Sequence, residues 1–226
     1  SFLVRKLASG IVYVNESFAS KARKGNCWSV IPAFLPPVHT LGLRKDVESY
    51  LLCCDFVISL NAFSLNYIEG EEVYGVDLVV KALKNLSDKR KLSKQISVVF
   101  FDPSDEYCDY DFNGVLSGFG VTFKRFSGGD LSYFDLLRYS DVSLRPTRTD
   151  GDALSVRESL FLGVPVIASD CVQRPPGTTL FESGNVESLE KALLSCVDSF
   201  GGEQTRSYVS NDFYHDLIKF YFKFFN

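Results

Sequence analysis

The chain lacks several features that define familiar functional classes, among them long hydrophobic runs and an excess of basic residues. No apolar run approaches the roughly eighteen residues that a membrane-spanning helix needs, so the sequence predicts no transmembrane segment. A net charge of −4 argues against a nucleic-acid partner, because such a partner is bound by a basic face. The 226 residues include no methionine, and the absence of an initiating one predicts a piece of a longer polypeptide.

Metal ligands are also few. The six cysteines are scattered and form no Cys-x-x-Cys pair, and the two histidines, His39 and His215, do not cluster with them. Because a zinc site needs clustered ligands, the sequence predicts no metal site. The cysteines then act as small hydrophobic residues in a reducing environment, which predicts a location in the cytoplasm or at the inner face of the membrane.

Short β-branched and aromatic runs alternate with helical patterns along the chain. This alternation is typical of βαβ units and predicts an α/β fold, a Rossmann-like parallel sheet flanked by helices. Strands are predicted at 11–14, 28–31, 56–60, 96–101, 121–124, 142–145 and 164–168. Helices are predicted at 16–24, 46–52, 73–86, 131–139, 152–162, 186–200 and 204–225.

The most informative segment runs from Arg145 to Asp170. It is predicted to form a strand end, a polar turn containing glycine, a helix and a second strand. Helix N-termini bind anions, because their first N–H groups lack partners and the helix dipole adds positive charge. Open α/β sheets bind ligands at the carboxyl ends of their strands. The segment therefore predicts a site for an anionic ligand that carries hydroxyl groups, such as a nucleotide sugar.

The same segment resembles a motif of the family 4 glycosyltransferases. The stretch from Asp150 to Glu158 is similar to the family's pair of glutamates separated by seven residues, with Asp in place of the first Glu. Gly163 to Asp170 is similar to the Gly-x-Pro-Val continuation of that motif. The likeness runs from about Ile11 to Val197. It implies a GT-B enzyme, in which two Rossmann-like domains face a cleft and the C-terminal one holds the sugar donor.

The proline-rich stretch from Pro32 to Pro37 marks a linker, because its three prolines cannot continue a helix or a central strand. The resemblance then implies that residues 1–37 are the tail of the N-terminal domain and the linker. Residues 38–200 are the nucleotide-sugar-binding C-terminal domain, and residues 201–226 are a helix that packs back across the domains. Most of the N-terminal domain lies outside this chain on that interpretation, and the aromatic last helix would promote dimers.

The resemblance also implies roles for the two motif carboxylates. Glu158 corresponds to the carboxylate that accepts hydrogen bonds from ribose hydroxyls, a task that suits two acceptor oxygens facing a vicinal diol. Asp150 corresponds to the carboxylate that contacts the transferred hexose. We expect backbone N–H groups of the turn and the first helical residues to hold the diphosphate: Gly151, Asp152, Ala153 and Leu154. The alternative for Asp152 is a helix cap.

Cations should converge on the diphosphate, because it gains negative charge as it leaves. Many family members place an Arg and a Lys in the loop after the first strand of this domain, but residues 61–75 contain neither. Arg148 is therefore the predicted diphosphate partner, with Arg145 and Arg174 as further candidates whose alternative is a surface ion pair. Asn61, at a predicted strand end, is expected to line the same cleft.

The resemblance implies a retaining, metal-independent transferase that uses no cofactor. It would move a hexosyl group from a UDP- or GDP-linked sugar to a glycan or lipid-linked acceptor during polysaccharide biosynthesis. Two alternatives remain, a nucleotide-sugar epimerase of GT-B-like fold and a non-catalytic α/β module that binds a partner protein. The Thr-Asp-Gly-Asp-Ala-Leu-Ser stretch favours the transferase.

Overall fold

A computed structural model describes residues 7–20, 27–37, 42–89, 92, 94–129, 131–200 and 213–224. Its strands are β1 (Gly10–Tyr13), β2 (Cys27–Val30), β3 (Phe56–Asn61), β4 (Tyr67–Ile68), β5 (Glu71–Glu72), β6 (Ile96–Asp102), β7 (Val121–Ser127), β8 (Val142–Arg145), β9 (Val166–Ser169) and β10 (Thr178–Phe181). Its helices are α1 (Glu16–Ala19), α2 (Lys45–Leu52), α3 (Val76–Asp88), α4 (Phe112–Val115), α5 (Tyr133–Leu137), α6 (Leu154–Phe161), α7 (Val186–Ser199) and α8 (Phe213–Phe222).

Six parallel strands form the main sheet in the order β10-β9-β8-β3-β6-β7. The central strands β3 and β6 are apolar and buried along nearly their whole length, as expected for a parallel sheet covered on both faces. Strand β7, at one edge, alternates between buried and less buried residues. The predicted α/β fold with a parallel sheet flanked by helices is confirmed.

Alternate side chains along the central strand β3 belong to two separate hydrophobic cores. Phe56, Ile58 and Leu60 belong to a cluster that includes the buried faces of α3 and α7, whereas Val57 belongs to a cluster with α2 and α5. Successive strand residues point to opposite faces of a sheet, so one apolar run supplies both cores. The helices therefore lie on both faces and leave the strand ends open for a site.

The first two strands pair in parallel as a unit of their own, with α1 between them. Helix α8 lies against this unit, since a Cβ atom added to Gly10 would sit 3.0 Å from a ring carbon of Phe220. The other end of α8 reaches the main sheet's helices, where the Arg157 guanidinium lies 5.4 Å from the centre of the Phe213 ring. The domain boundaries and the packing of the last helix across the domains stay predictions.

Several elements differ from the predictions. The sequence did not predict β10, α4 or the antiparallel hairpin of β4 and β5, all of them four residues or shorter. Helix α6 begins two residues later than predicted, and β9 begins at Val166 instead of residue 164. Residues 21–24 of one predicted helix, and residues 204–212 and 225 of another, lie outside the described residues. Every helix in the described ranges is too short or too polar to cross a membrane.

Candidate functional site

The chain order of the strands reverses between β3 and β8, and this switch point is where an open α/β sheet forms its ligand crevice. Leu60 pairs with Leu144, so the next residues along the two strands, Asn61 and Arg145, flank the crevice at its carboxyl edge. The Oδ1 atom of Asn61 is buried and lacks a hydrogen-bond partner in the described part of the chain. A buried acceptor of this kind is normally satisfied by a ligand or water, so Asn61 lies where the sequence predicts a cleft residue.

Asp150 lies in the loop after β8, with its side chain 8% exposed. Its Oδ2 atom accepts hydrogen bonds from Arg145 Nε at 2.9 Å and from Arg174 Nη1 at 2.8 Å. Burial alone would raise the pKa of Asp150, but the two guanidinium groups hold that pKa well below its usual range. Asp150 is therefore a buried, ionised counter-ion of two arginines.

Glu158, the second motif carboxylate, lies in the second turn of α6. Its environment differs from that of Asp150, because no described residue donates a hydrogen bond to it or forms an ion pair with it. Burial raises the pKa of Glu158 to about 7, which is its only perturbation. A carboxylate with a raised pKa and no partner at a strand-end crevice is a candidate functional group.

Tyr133 lies near Glu158 and was not predicted as a site residue. Its hydroxyl is within 3.1 Å of the Ser143 hydroxyl and donates to the Ser59 hydroxyl at 3.4 Å. Burial raises the pKa of Tyr133 to about 12, and the charge of Glu158 adds to that rise. A single tyrosine at a helix start has no distinctive sequence signal, so only the fold brings it to this place.

Helix α6 begins at Leu154, and Ala153 occupies the N-cap position. The alternative that Asp152 caps this helix is wrong, because both oxygens of its carboxylate lie 2.8 Å from Arg157 Nε. Among the described side chains, none caps the helix. Its first N–H groups thus remain available to an anion. The N–H of Gly151 in the preceding turn, also predicted to hold the diphosphate, instead donates to Asp150 Oδ1 at 2.9 Å.

The N-terminus of α3 is occupied by a carboxylate of the protein itself. Glu72, 4% exposed, accepts hydrogen bonds from the backbone N–H groups of Tyr74 and Val76 at 2.7 and 2.6 Å. Gly75 precedes this helix with a φ of 71°, and a Cβ atom added there would lie 2.0 Å from the carbonyl oxygen of Pro146. An anionic ligand at the crevice would therefore be repelled from the start of α3, where the Glu72 carboxylate already accepts from the Val76 N–H, and would meet the uncapped start of α6 instead.

The three candidate arginines have different surroundings. Arg148 binds the Asp77 carboxylate through two nitrogens, at 2.8 and 3.0 Å, and its Nε lies 3.2 Å from a Glu71 oxygen. Hydrogen bonding to Asp77 raises the pKa of Arg148, so the guanidinium is firmly held beside α3. Its role as the diphosphate partner stays a prediction, but two carboxylates already engage this guanidinium.

Arg174 is almost completely covered, with a side chain 2% exposed. It donates to the Ser169 carbonyl oxygen at 3.0 Å and to the Thr147 hydroxyl at 3.2 Å, besides its bond to Asp150. Arg145, 12% exposed, turns Nε and Nη2 towards Asp150 and lies 5.2 Å from the centre of the Tyr74 ring. Of these two guanidinium groups, that of Arg145 is the more exposed to solvent.

A cavity of about 420 Å³ lies beside α6, between it and the strands β1 and β2. Its wall is mostly apolar and includes Val14, Val30, Phe34, Leu160 and Pro175. Asn15 closes one side, where its Nδ2 donates to the Gly151 carbonyl oxygen at 3.4 Å. The start of α1, at Asn15, is therefore in direct contact with the turn that precedes α6. Within the described ranges, no three His, Cys, Asp or Glu side chains are placed to hold a metal ion.

The chain was compared with known families, curated proteins and solved structures. No family model and no curated protein matches it. Sucrose-phosphate synthase from Thermosynechococcus elongatus superimposes with a TM-score of 0.63 at 16% identity, over 99% of this chain and 60% of that one. The galactosyltransferase WaaB of the lipopolysaccharide outer core gives 0.60 at 12% identity, over 96% of this chain and 62% of that one. The fold is that of the GT-B glycosyltransferases.

A TarM variant from S. aureus, in complex with UDP, Fondaparinux and alpha-GlcNAc-glycerol, has the same fold. It superimposes with a TM-score of 0.61 at 12% identity, over 96% of this chain and 45% of that one. The chain thus spans less than two thirds of the length of these GT-B proteins. At such identities the likeness establishes the GT-B fold alone, and membership of family 4 stays a prediction.

Proposed function

We propose that this chain is the donor-binding part of a glycosyltransferase, which transfers a hexosyl group from a UDP- or GDP-linked sugar to a glycan or lipid-linked acceptor. One observation carries the proposal: the partner-free carboxylate of Glu158, at the strand-end crevice of a GT-B fold. Retention of configuration, independence of metal ions and a role in polysaccharide biosynthesis belong to the same proposal.

Glu158 would hold the ribose of the sugar donor. Its two oxygens can each accept a hydrogen bond from one hydroxyl of a vicinal diol. Such bonds favour the charged carboxylate, so binding would lower a pKa that burial has raised to about 7. The energetic penalty of burying this carboxylate in the free protein is then relieved when the nucleotide binds, which favours a ligand that offers hydroxyl groups.

The diphosphate would lie between Arg145 and the start of α6. Negative charge develops on this group as the glycosidic bond breaks, and pre-oriented cations and N–H groups stabilise it most effectively. The uncapped helix supplies N–H groups, and the cluster of two arginines and Asp150 supplies one net positive charge. This charge supports the proposal that the departing diphosphate is stabilised by the protein itself.

The proposal is tested by calorimetric titration of the chain with UDP-glucose and GDP-mannose. We expect one of them to bind, and Glu158→Ala to weaken its binding at least tenfold, which corresponds to the loss of about 1.4 kcal/mol. Glu187→Ala, which removes an exposed helical carboxylate elsewhere, should bind like the wild type. Failure of the wild type to bind nucleotide sugars of either base would refute the proposal.

A product assay addresses the nature of the reaction. On the full-length protein, a glycosyltransferase would yield a glycosylated acceptor together with the nucleoside diphosphate. Free epimerised sugar, formed with the nucleoside diphosphate by hydrolysis of the donor, would assign the epimerase instead.

A further inference from the structure

Asp150 has no capacity left for a substrate hydroxyl. Its Oδ2 accepts from Arg145 Nε, Arg174 Nη1 and Thr147 Oγ1, and its Oδ1 accepts from Arg145 Nη2 and the Gly151 N–H. A carboxylate offers about four lone-pair sites, and these five hydrogen bonds use all of them. With its side chain 8% exposed, the group is also shielded from the crevice. A contact with the transferred hexose, the role implied by the family resemblance, is incompatible with this arrangement.

The same contacts orient Arg145. Its Nε and Nη2 form a two-pronged pair with Asp150 at 2.9 and 3.2 Å, a geometry that fixes the plane of the guanidinium. The Tyr74 ring, 5.2 Å from the guanidinium carbon, restrains the group further. The remaining nitrogen of Arg145, Nη1, donates no hydrogen bond to any described residue and so can reach a ligand. This edge of the guanidinium lies at the carboxyl end of β8, next to the switch-point crevice.

Arg174 anchors the other side of Asp150. It also donates to the Ser169 carbonyl oxygen and the Thr147 hydroxyl, so its guanidinium is held by the loops after β8 and β9. Because the side chain of Arg174 is 2% exposed, it supports Asp150 instead of reaching a ligand. The cluster thus consists of a buried cation, a buried anion and one cation with an accessible edge.

We propose that Asp150 is a positioning residue, which holds Arg145 against the diphosphate of the sugar donor and makes no contact with the hexose. The assignment rests on the proposed function, because it presupposes that a nucleoside-diphosphate sugar binds at this edge. Asp at position 150 suits the role, since Glu would carry the carboxylate one methylene further and displace Arg145 from its pairing.

The test measures three affinities by calorimetry, for uridine, UDP and UDP-glucose, or for the guanosine series if the wild type prefers it. In Asp150→Asn we expect unchanged affinity for the nucleoside and at least tenfold weaker binding of UDP. The affinity for UDP-glucose should fall by the same factor. The ratio of the UDP-glucose affinity to the UDP affinity would then equal that of the wild type. In an Arg145→Met background, Asp150→Asn should cause no further loss of UDP affinity.

Asp150→Glu, which keeps the charge but moves the carboxylate, should show the same pattern and replaces Asp150→Asn if that variant does not fold. The opposite pattern, unchanged UDP affinity with a reduced ratio of UDP-glucose to UDP affinity, would show a hexose contact and overturn the assignment. A wild type that binds nothing in either series would refute the proposed function itself, which separates the two failures.

Discussion

Neutralising the Glu158 side chain should stabilise the free protein at alkaline pH. In the folded chain the pKa of Glu158 is raised from 4.5 to about 7 by burial. One pH unit of difference between folded and unfolded pKa corresponds to about 1.36 kcal/mol, so this difference corresponds to about 3 kcal/mol. Glu158→Gln keeps the shape of the side chain but removes the ionisation, and with it this pH-dependent penalty.

The sign follows from the proton balance. Below pH 4.5 the Glu158 carboxyl is protonated in both the folded and the unfolded chain, so it causes no pH-dependent loss of stability there. As the pH rises from 4.5 to about 7, the unfolded chain releases the proton while the folded chain retains it, so the wild type loses stability. Above that window the loss is complete. The free energy of unfolding of Glu158→Gln, relative to the wild type, should therefore rise by about 3 kcal/mol between pH 4 and pH 8.

Urea unfolding followed by circular dichroism at several pH values measures this difference. Any pH-independent effect of the buried amide shifts every point equally and cancels in the comparison. A flat profile for Glu158→Gln would mean that water solvates the Glu158 carboxylate in the folded chain, which would refute its description as a buried group without a partner.

Two further substitutions test the architecture beneath the site. Gly75→Ala should destabilise the chain by at least about 2 kcal/mol in urea unfolding, because it adds a clash with a backbone carbonyl to the strain of a φ of 71°. Gly118→Ala is the control for backbone strain alone, since its φ is 80° and the space around it is open. Equal losses of unfolding free energy in the two variants would argue against the clash at Gly75. Tyr107→Phe should lower the free energy of unfolding by about 1 to 2 kcal/mol. It removes a buried hydroxyl that donates, at 2.6 Å, to the Glu72 carboxylate that caps α3. The exposed Tyr110→Phe is its control, and an equal effect of both would contradict that reasoning.

The central part of the fold was predictable because its strands are long, apolar and buried on both faces. The runs at 56–60 and 96–101 coincide with β3 and β6 to within one residue. Strand β10 was not predictable in the same way, since Thr178–Phe181 is short, lies at an edge and buries only its last residue. A pattern method needs several alternating residues, and a four-residue edge strand offers too few.

The placement of the candidate side chains on the fold followed from the sequence, whereas their pairing did not. Sequence spacing alone places Arg145, Asp150 and Glu158 at the end of one strand and the start of the next helix. It does not reveal that Arg148 binds Asp77, because these residues are 71 positions apart and meet only through the parallel pairing of β3 and β8. It also cannot distinguish the saturated carboxylate of Asp150 from the unpaired one of Glu158, since both are acidic residues in one short motif.

The distribution of charge at the carboxyl edge links two differences from the motif that the sequence resembles. The loop after β3 contains Glu71 and Glu72 and neither the Arg nor the Lys that the resemblance implies for it, and these acids hold Arg148 and cap α3. Under the proposed function the diphosphate would then be met from the β8 side, where Asp150, which stands in place of the first motif Glu, holds Arg145. We infer that the two differences compensate each other under that proposal, because the cation would come from the β8 loop instead of the β3 loop.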